Sequence, residues 1–333
     1  MPVKGGVDLT DFGTKGVANV YGKSDINNSL WWTDWDIQDG VVAVKSTGQR
    51  LPFGRRFMMI CANWLVYYIC MEAWRAASLA RKGPKVAFIP HRPRPWYFIW
   101  PALHAAGGRI VNRVEDADLV VCFEDATCST LPAKPGGVPT LNFDCNDVSK
   151  TRVASVFESV FGYPLHVDPA THHGTMVEKS EINGAHDGQI ITGPSEARPG
   201  FVYQRVVDNR LGDDIVEDYR CLVVGASIPL GFIKRRPVGR RFTNANTEVL
   251  LEEPESYLTP EETASLVEFA RQMGLEWGAL DVLRDRADGR IYVVDVNKTN
   301  IDPPIALPLK QKFKATRRIA AMLREMSGLD PAQ

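Results

Sequence analysis

The chain has 333 residues, enough for two or three domains with properly buried cores. Hydrophobic residues make up 44% and charged residues 24%, a soluble globular profile, and a formal net charge of −1 gives no global electrostatic case for nucleic acid as a partner. The opening MPVKGGVDLT lacks the apolar core of a secretory signal, and six cysteines without a C-x-x-C pair argue against zinc or a disulfide framework and fit a reducing cytoplasm.

Residues 1–50 are polar and glycine-containing, with tryptophans clustered in NNSLWWTDWDIQDG, and are expected to form an irregular arm or short β elements. A helix is expected over about 54–82, carrying a nearly unbroken apolar stretch from Phe57 to Met71. That stretch is shorter than the ~20 residues that span a bilayer, and Asn63 interrupts it. A buried helix is the first expectation. A helix lying on a membrane surface, flanked by Arg55, Arg56, Arg75 and Arg81, is the alternative. KVAFIP, RIVN, ADLVVCFED and GVPTLNFD then alternate with the helical pattern WYFIWPALHAAGG, which predicts a small open parallel sheet. Asp147 or Ser149 caps a following helix whose apolar face holds Val153, Val156, Phe157 and Val160.

From about 164 the pattern changes to short strands, TMVEKS, GQIITG and GFVYQRVV. EDYRCLVVGASIPLGFIKRR predicts two antiparallel strands around Gly225-Ala226. LTPEETASLVEFARQMGL is the clearest helix: Thr259 caps it, Pro260 takes its first position and Glu262 completes a capping box. A basic terminal helix, PLKQKFKATRRIAAMLREMSG, closes the chain, with Lys310, Lys312, Lys314, Arg317 and Arg318 expected on a solvated face.

Between the last two helices runs GALDVLRDRADGRIYVVDVN, a hairpin with chemistry in it. A three-residue loop Ala287-Asp288-Gly289 would give Gly289 the left-handed position, with Arg286 facing Arg290; a five-residue loop leaves the register unchanged. Counting back sets Asp281 opposite Asp295, with Asn297 on the same face and Leu283, Ile291 and Val293 as an apolar floor. Opposed side chains lie ~5 Å apart, where like charges destabilise the pair. A cation should therefore sit there. Oxygen donors without thiol or imidazole suit Mg²⁺, which binds through one or two carboxylates plus substrate phosphates. The plainer alternative is a solvent-facing hairpin with ordinary surface acids.

These residues resemble the metal-binding end of the ATP-grasp superfamily, an Asp on one strand followed by an acid-x-Asn at the end of the next, as in enzymes similar to D-alanine–D-alanine ligase. The resemblance implies an α/β (α+β) two-lobed fold preceded by a small Rossmann-like parallel-sheet domain. It divides the chain into an unassigned arm and apolar helix (1–83), the parallel-sheet domain (84–146), a small subdomain (147–200), a large subdomain (201–310) and a terminal helix (311–333). It further implies that Asp281, Asp295 and Asn297 hold two Mg²⁺ ions, with Mn²⁺ as an alternative, bridging the phosphates of ATP. Lys179 of TMVEKS would grip the α- and β-phosphates, Lys150 of VSKTRV would lie near the nucleotide, and NGAHDG would form a lid pivoting at Gly184 and Gly188. Gln204, Arg205 and Val207 would meet adenine, Asp208 or Asn209 the ribose, and Leu283 would lie against the adenine. EDYRCLVVG resembles the family's acid-x-Arg strand, which fits Asp218 and Arg220, and FIKRR supplies Lys234, Arg235 and Arg236 for anions.

The family resemblance implies attack of a carboxylate on the γ-phosphate and displacement by an amine or thiol, with Arg220 and Arg236 as the catalytic arginines. His91, Arg92 and Arg94 of HRPRP stand between a strand and a helix, where a helix N-terminus would offer the acceptor an anion site; a proline-stiffened surface loop is the alternative. After Asn297 the family's ligases often continue with a small residue, Pro and Gly, but this chain has KTNIDPP. That departure leaves room for a kinase acting on a hydroxyl of a lipid or polyol, and a non-catalytic nucleotide-binding module is the third alternative. A small-molecule acceptor, a homodimer and peripheral contact with the inner membrane face complete the expectations.

Overall fold

The computed structural model describes residues 31–44, 50–77, 82–243 and 246–330. Most of the expected arm, residues 1–30, and Arg81 lie outside the described residues, as does the side chain of Arg56. A 3-10 turn, Trp31–Asp34, leads into a small antiparallel sheet of β1 (Trp35–Gln38), β2 (Val41–Val44) and β3 (Arg50–Pro52).

Helix α1 (Arg55–Ala77) corrects the expectation of a buried helix. Phe57, Tyr67 and Met71 are buried, but Met58, Met59, Leu65, Val66 and Ile69 are between 44% and 64% exposed. The reason is geometric: helices pack against one of its sides, and nothing described covers the other. By length and composition alone, Phe57–Ala77 is long and apolar enough to cross a membrane.

The parallel sheet follows as expected, with β4 (Lys85–Pro90), β5 (Arg109–Val111), β6 (Leu119–Phe123) and β7 (Thr140–Leu141) in the order β5-β4-β6-β7. Helix α2 (Ile99–Ala105) packs on it. Helix α3 (Lys150–Phe161) uses both capping candidates: the Arg152 amide donates to Ser149, and the Ser149 amide donates to Asp147. Strands β8 (Gly174–Ser180), β9 (Gln189–Gly193) and β10 (Phe201–Arg205) form a separate antiparallel sheet, β10-β8-β9.

The largest sheet has six antiparallel strands. They are β11 (Arg210–Leu211), β12 (Ile215–Val224), β13 (Gly231–Pro237), β14 (Glu248–Glu252), β15 (Trp277–Arg284) and β16 (Ile291–Asn297). The order is β14-β13-β12-β15-β16, with β11 on β12. Helix α4 (Pro260–Gln272) carries the predicted capping box, with both Thr259–Glu262 bonds formed. Helix α5 (Leu309–Met326) ends the described chain.

Strand alternation gives the large sheet two different faces. Tyr219, Cys221, Val223, Ile233, Leu280 and Val282 point into a core with α3 and α4. On the other face, Leu222, Val224, Phe232, Trp277 and Ala279 join a core with α2, the parallel sheet and α5. Further along that second face the same alternation brings up Asp218, Arg220, Lys234 and Asp281, beyond the cover of α2 and α5.

The terminal helix corrects one expectation. Lys312 is 2% exposed, not solvated. It falls on the stripe of Ala315, Thr316 and Ile319 that packs inward, and its Nζ donates to the Ile305 carbonyl at 3.0 Å. Burial lowers its pKa to about 8.

Candidate nucleotide and metal site

The hairpin brings Asp281 opposite Asp295, as counted, but by another route. The Asp285 amide donates to Arg290 and the Gly289 amide to Asp285, so Arg286 does not face Arg290. Gly289 takes the left-handed φ of +74° that the turn requires. Arg284, Leu283 and Val282 then pair with Ile291, Tyr292 and Val293, while Asp281, Leu280 and Ala279 pair with Asp295, Val296 and Asn297. One residue of β16, Val294, is left over as a β-bulge. The expected apolar floor is corrected by this. Ile291 and Val293 lie across from Arg284 and Val282, so they belong to the α3–α4 core and not to the acids' face.

The repulsion between the acids is offset from the neighbouring strands. Arg220 of β12 stands directly opposite Asp281 and donates to both its oxygens at 3.1 and 3.2 Å. Lys234 of β13 donates to Asp281 at 2.8 Å, and Asn297 Nδ2 at 3.2 Å. Burial alone would raise the pKa of Asp281, but Lys234 and Arg220 outweigh it and hold the carboxyl far below its usual range. Asp295 is served less well: its Oδ1 is buried without a hydrogen-bond partner among the described residues. A buried orphan carboxylate oxygen is expensive unless a cation meets it. No group of three His, Cys, Asp or Glu placed for a metal occurs among the described residues. Two carboxylates and an amide nonetheless fit Mg²⁺, whose remaining positions are usually filled by phosphates and water.

Both predicted lysines reach this place. Lys179 of β8 donates to the carbonyl of the bulged Val294 at 2.9 Å. Burial lowers its pKa to about 8, Asp295 and Asp281 opposing and nearby Lys150 adding to the fall. Lys150, in the first turn of α3, donates to the Ile182 carbonyl at 2.8 Å. Each holds only a main-chain oxygen, a partner a phosphate can replace. The predicted lid, residues 183–188, is tied down: the Asn183 amide donates to Thr127, and Asp187 accepts from the Ser180 amide. Gly184 has a φ of +70°, and at Gly188 a Cβ would lie 2.7 Å from the Phe242 ring, so only glycine fits there. Sequence reasoning missed His186, which has a φ of +51° and lies within the fields of Asp295 and Asp281. Its positive φ has no signature in sequence.

Arg220 is anchored by the segment that departs from the family pattern. Asp302 accepts from it at 2.9 Å and Asn300 at 2.6 Å. Arg236 shares the charged face but is spent on Asp218, the Arg241 carbonyl and Asn246. Arg235, one residue away, faces the other side and pairs with Glu217 and Glu248. Lys234 is therefore the cation that FIKRR brings to the acids.

The expected adenine and ribose residues do not gather as a free set. Gln204 is buried with its Nε2 unpartnered among the described residues, and Arg205 donates to the Tyr292 hydroxyl at 2.6 Å. The Val207 carbonyl accepts from Arg241. Asp208 is held by Arg210 and Arg286, its hydrogen bonds to Arg210 pushing its pKa down to about 2. Asn209 is engaged by Glu217 and Asp218, and Leu283 packs half-buried at the α3–α4 core. The HRPRP expectation is corrected: α2 begins only at Ile99 and is seven residues long, so no helix N-terminus meets the loop. Arg92 bonds Asn112, buried Arg94 lies 4.0 Å from Asp34, and the amide of His91 reaches Phe123.

No family model and no curated protein matches the chain. Solved structures similar to it include ATP-grasp ligases. Against two structures of the ATP-grasp ligase PsnB in complex with minimal precursors, identity is 16% and 15% and the TM-scores are 0.34 and 0.38, covering 49% and 55% of this chain. The chain spans only 56% and 62% of those two. A RimK domain ATP-grasp protein from Sphaerobacter thermophilus is 14% identical, with 73% of this chain and 98% of that one covered at a TM-score of 0.44. D-alanine–D-alanine ligase from Bacillus anthracis, complexed with ATP, is 14% identical over 73% and 96% at 0.43. At scores this low, these likenesses assign no role to any residue of this chain.

Proposed function

We propose that the chain is an ATP- and Mg²⁺-dependent ligase that joins a carboxylate to an amine or thiol through an acyl phosphate. One observation carries this reading. Lys179, Arg220 and Lys234, from three different elements, converge on a facing pair of acids, with Lys150 beside Lys179, and one of the acids keeps a buried oxygen unpartnered among the described residues. Mg²⁺ held by Asp281, Asp295 and Asn297 would neutralise charge on the β- and γ-phosphates. Lys179 and Lys150 exchange their carbonyl partners for phosphate oxygens. Arg220, fixed in place by Asn300 and Asp302, donates to the phosphoryl group in transfer. A substrate carboxylate oxygen attacks the γ-phosphorus, the bond to the β–γ bridging oxygen breaks, and ADP departs. The amine or thiol then attacks the acyl carbon, the C–O bond to phosphate breaks, and the nucleophile's proton passes to solvent.

The test is incubation with ATP, Mg²⁺, a panel of carboxylic acids and hydroxylamine. Hydroxamate and ADP are expected in equal amounts, with Asp295→Asn reducing both at least about a hundredfold. Phosphate found on a hydroxyl would replace this reading with the kinase. ATP bound without any ADP release would replace it with a non-catalytic module.

A further inference from the structure

We propose that the exposed side of α1 seats on an anionic lipid surface. The inference starts from a helix whose stretch from Phe57 to Met71 is apolar on every side but for Asn63. Such a helix is either fully buried or meets a second apolar phase, and α1 is buried on one side only. On that side the Tyr67 hydroxyl bonds Thr316 at 2.6 Å, and Tyr67 and Met71 pack with Trp100, Leu309 and Phe313. On the other side Met58, Ala62, Leu65 and Ile69 fall on one line, with Met59, Asn63 and Val66 beside them, all exposed. No charge interrupts that line. The helix's one acid, Glu72, is taken by Arg75 and Tyr68. Exposed Phe53 extends the surface beyond the helix, its ring 5.7 Å from that of Phe57.

The occupant is read from the charges at the rim. Lys310, Lys314 and Arg317, exposed on α5, fall on one stripe at i, i+4 and i+7. The Arg317 guanidinium lies 4.9 Å over the ring of Trp74 on α1, so this basic stripe runs along the edge of the apolar one. Lys314 is also 3.8 Å from Glu253, a contact that solvent weakens. Arg55 adds an exposed cation at the start of α1. An apolar strip bordered by cations and aromatic rings complements the boundary between acidic headgroups and acyl chains. A second copy of the chain docked on this strip would bring those cations toward their own equivalents. The surface is separate from the nucleotide site, and the proposal stands or falls without the ligase reading.

The test is flotation of the full chain with vesicles of phosphatidylcholine alone and of phosphatidylcholine with phosphatidylglycerol. Recovery with the acidic vesicles is expected to exceed that with the neutral ones at least about tenfold. Leu65→Glu with Ile69→Glu, both at exposed positions, abolishes recovery while the circular-dichroism melt stays unchanged. Lys310→Glu with Arg317→Glu removes only the preference for acidic vesicles. Absence of flotation with either vesicle overturns the proposal. So does a dimer in sedimentation velocity that Leu65→Glu/Ile69→Glu dissociates while vesicles leave the wild type behind, since a second copy is then the occupant.

Discussion

One face of the large sheet carries two regions built from the same three strands. At one end Leu222, Val224, Phe232, Trp277 and Ala279 lie under α2 and α5. At the other, Asp218, Arg220, Lys234 and Asp281 continue the same alternation. The strands do not differ; the cover does. In the apolar region any side chain of suitable volume would serve, because packing is non-directional. In the charged region each group is specified by an opposite charge on another strand, since a buried ion without its partner is costly. The difference shows how one sheet can hold an apolar core and a cluster of paired charges without a boundary in its backbone.

The sharpest way to break that contrast is Asp281→Ala. It strands Arg220 and Lys234 together, and stability measured by urea denaturation should fall by about 3–5 kcal/mol, with hydroxamate formation lost. A variant that melts like the wild type would show that the charges are not mutually dependent. On the apolar side, Phe232→Ala should cost about 3 kcal/mol, while ATP affinity per folded molecule, read by calorimetry, stays the same. The smallest effect comes from a cation on the wrong side of the comparison. Burial lowers the pKa of Lys312 to about 8 from the 10.5 of the open chain, so the unfolded state binds more protons between those values. Stability should therefore rise as pH increases through that window. Lys312→Met should flatten the rise and add about 2 kcal/mol at pH ~7, the burial penalty less the bond to Ile305. Urea melts across the window would check both.

What could be read from the chain alone followed local chemistry. The α4 cap and the left-handed Gly289 depend on residues a few positions apart, and each strand of the parallel sheet announces itself by its own short apolar run. The facing of Asp281 and Asp295 was legible only because two departures cancel. The turn pairs one residue out of step with the count, and the bulge at Val294 restores the step. Ile291 and Val293 lie between those departures and were placed on the wrong face. Lys234, Asn300 and Asp302 reach the acids across strands distant in sequence, where no local spacing announces them. Helix α1 is illegible for a different reason: an apolar helix looks the same whether its neighbours are protein or something else.

Val294 has a consequence for motion. Pairing on either side of it runs on as though it were absent, and its spare oxygen is where Lys179 of the small sheet holds the large one. A tether fixed to the one residue the ladder does not need can be let go and retaken without disturbing the acids. Lys179 can exchange that oxygen for another acceptor while the pairing of Asp281 with Asp295 stays as it was.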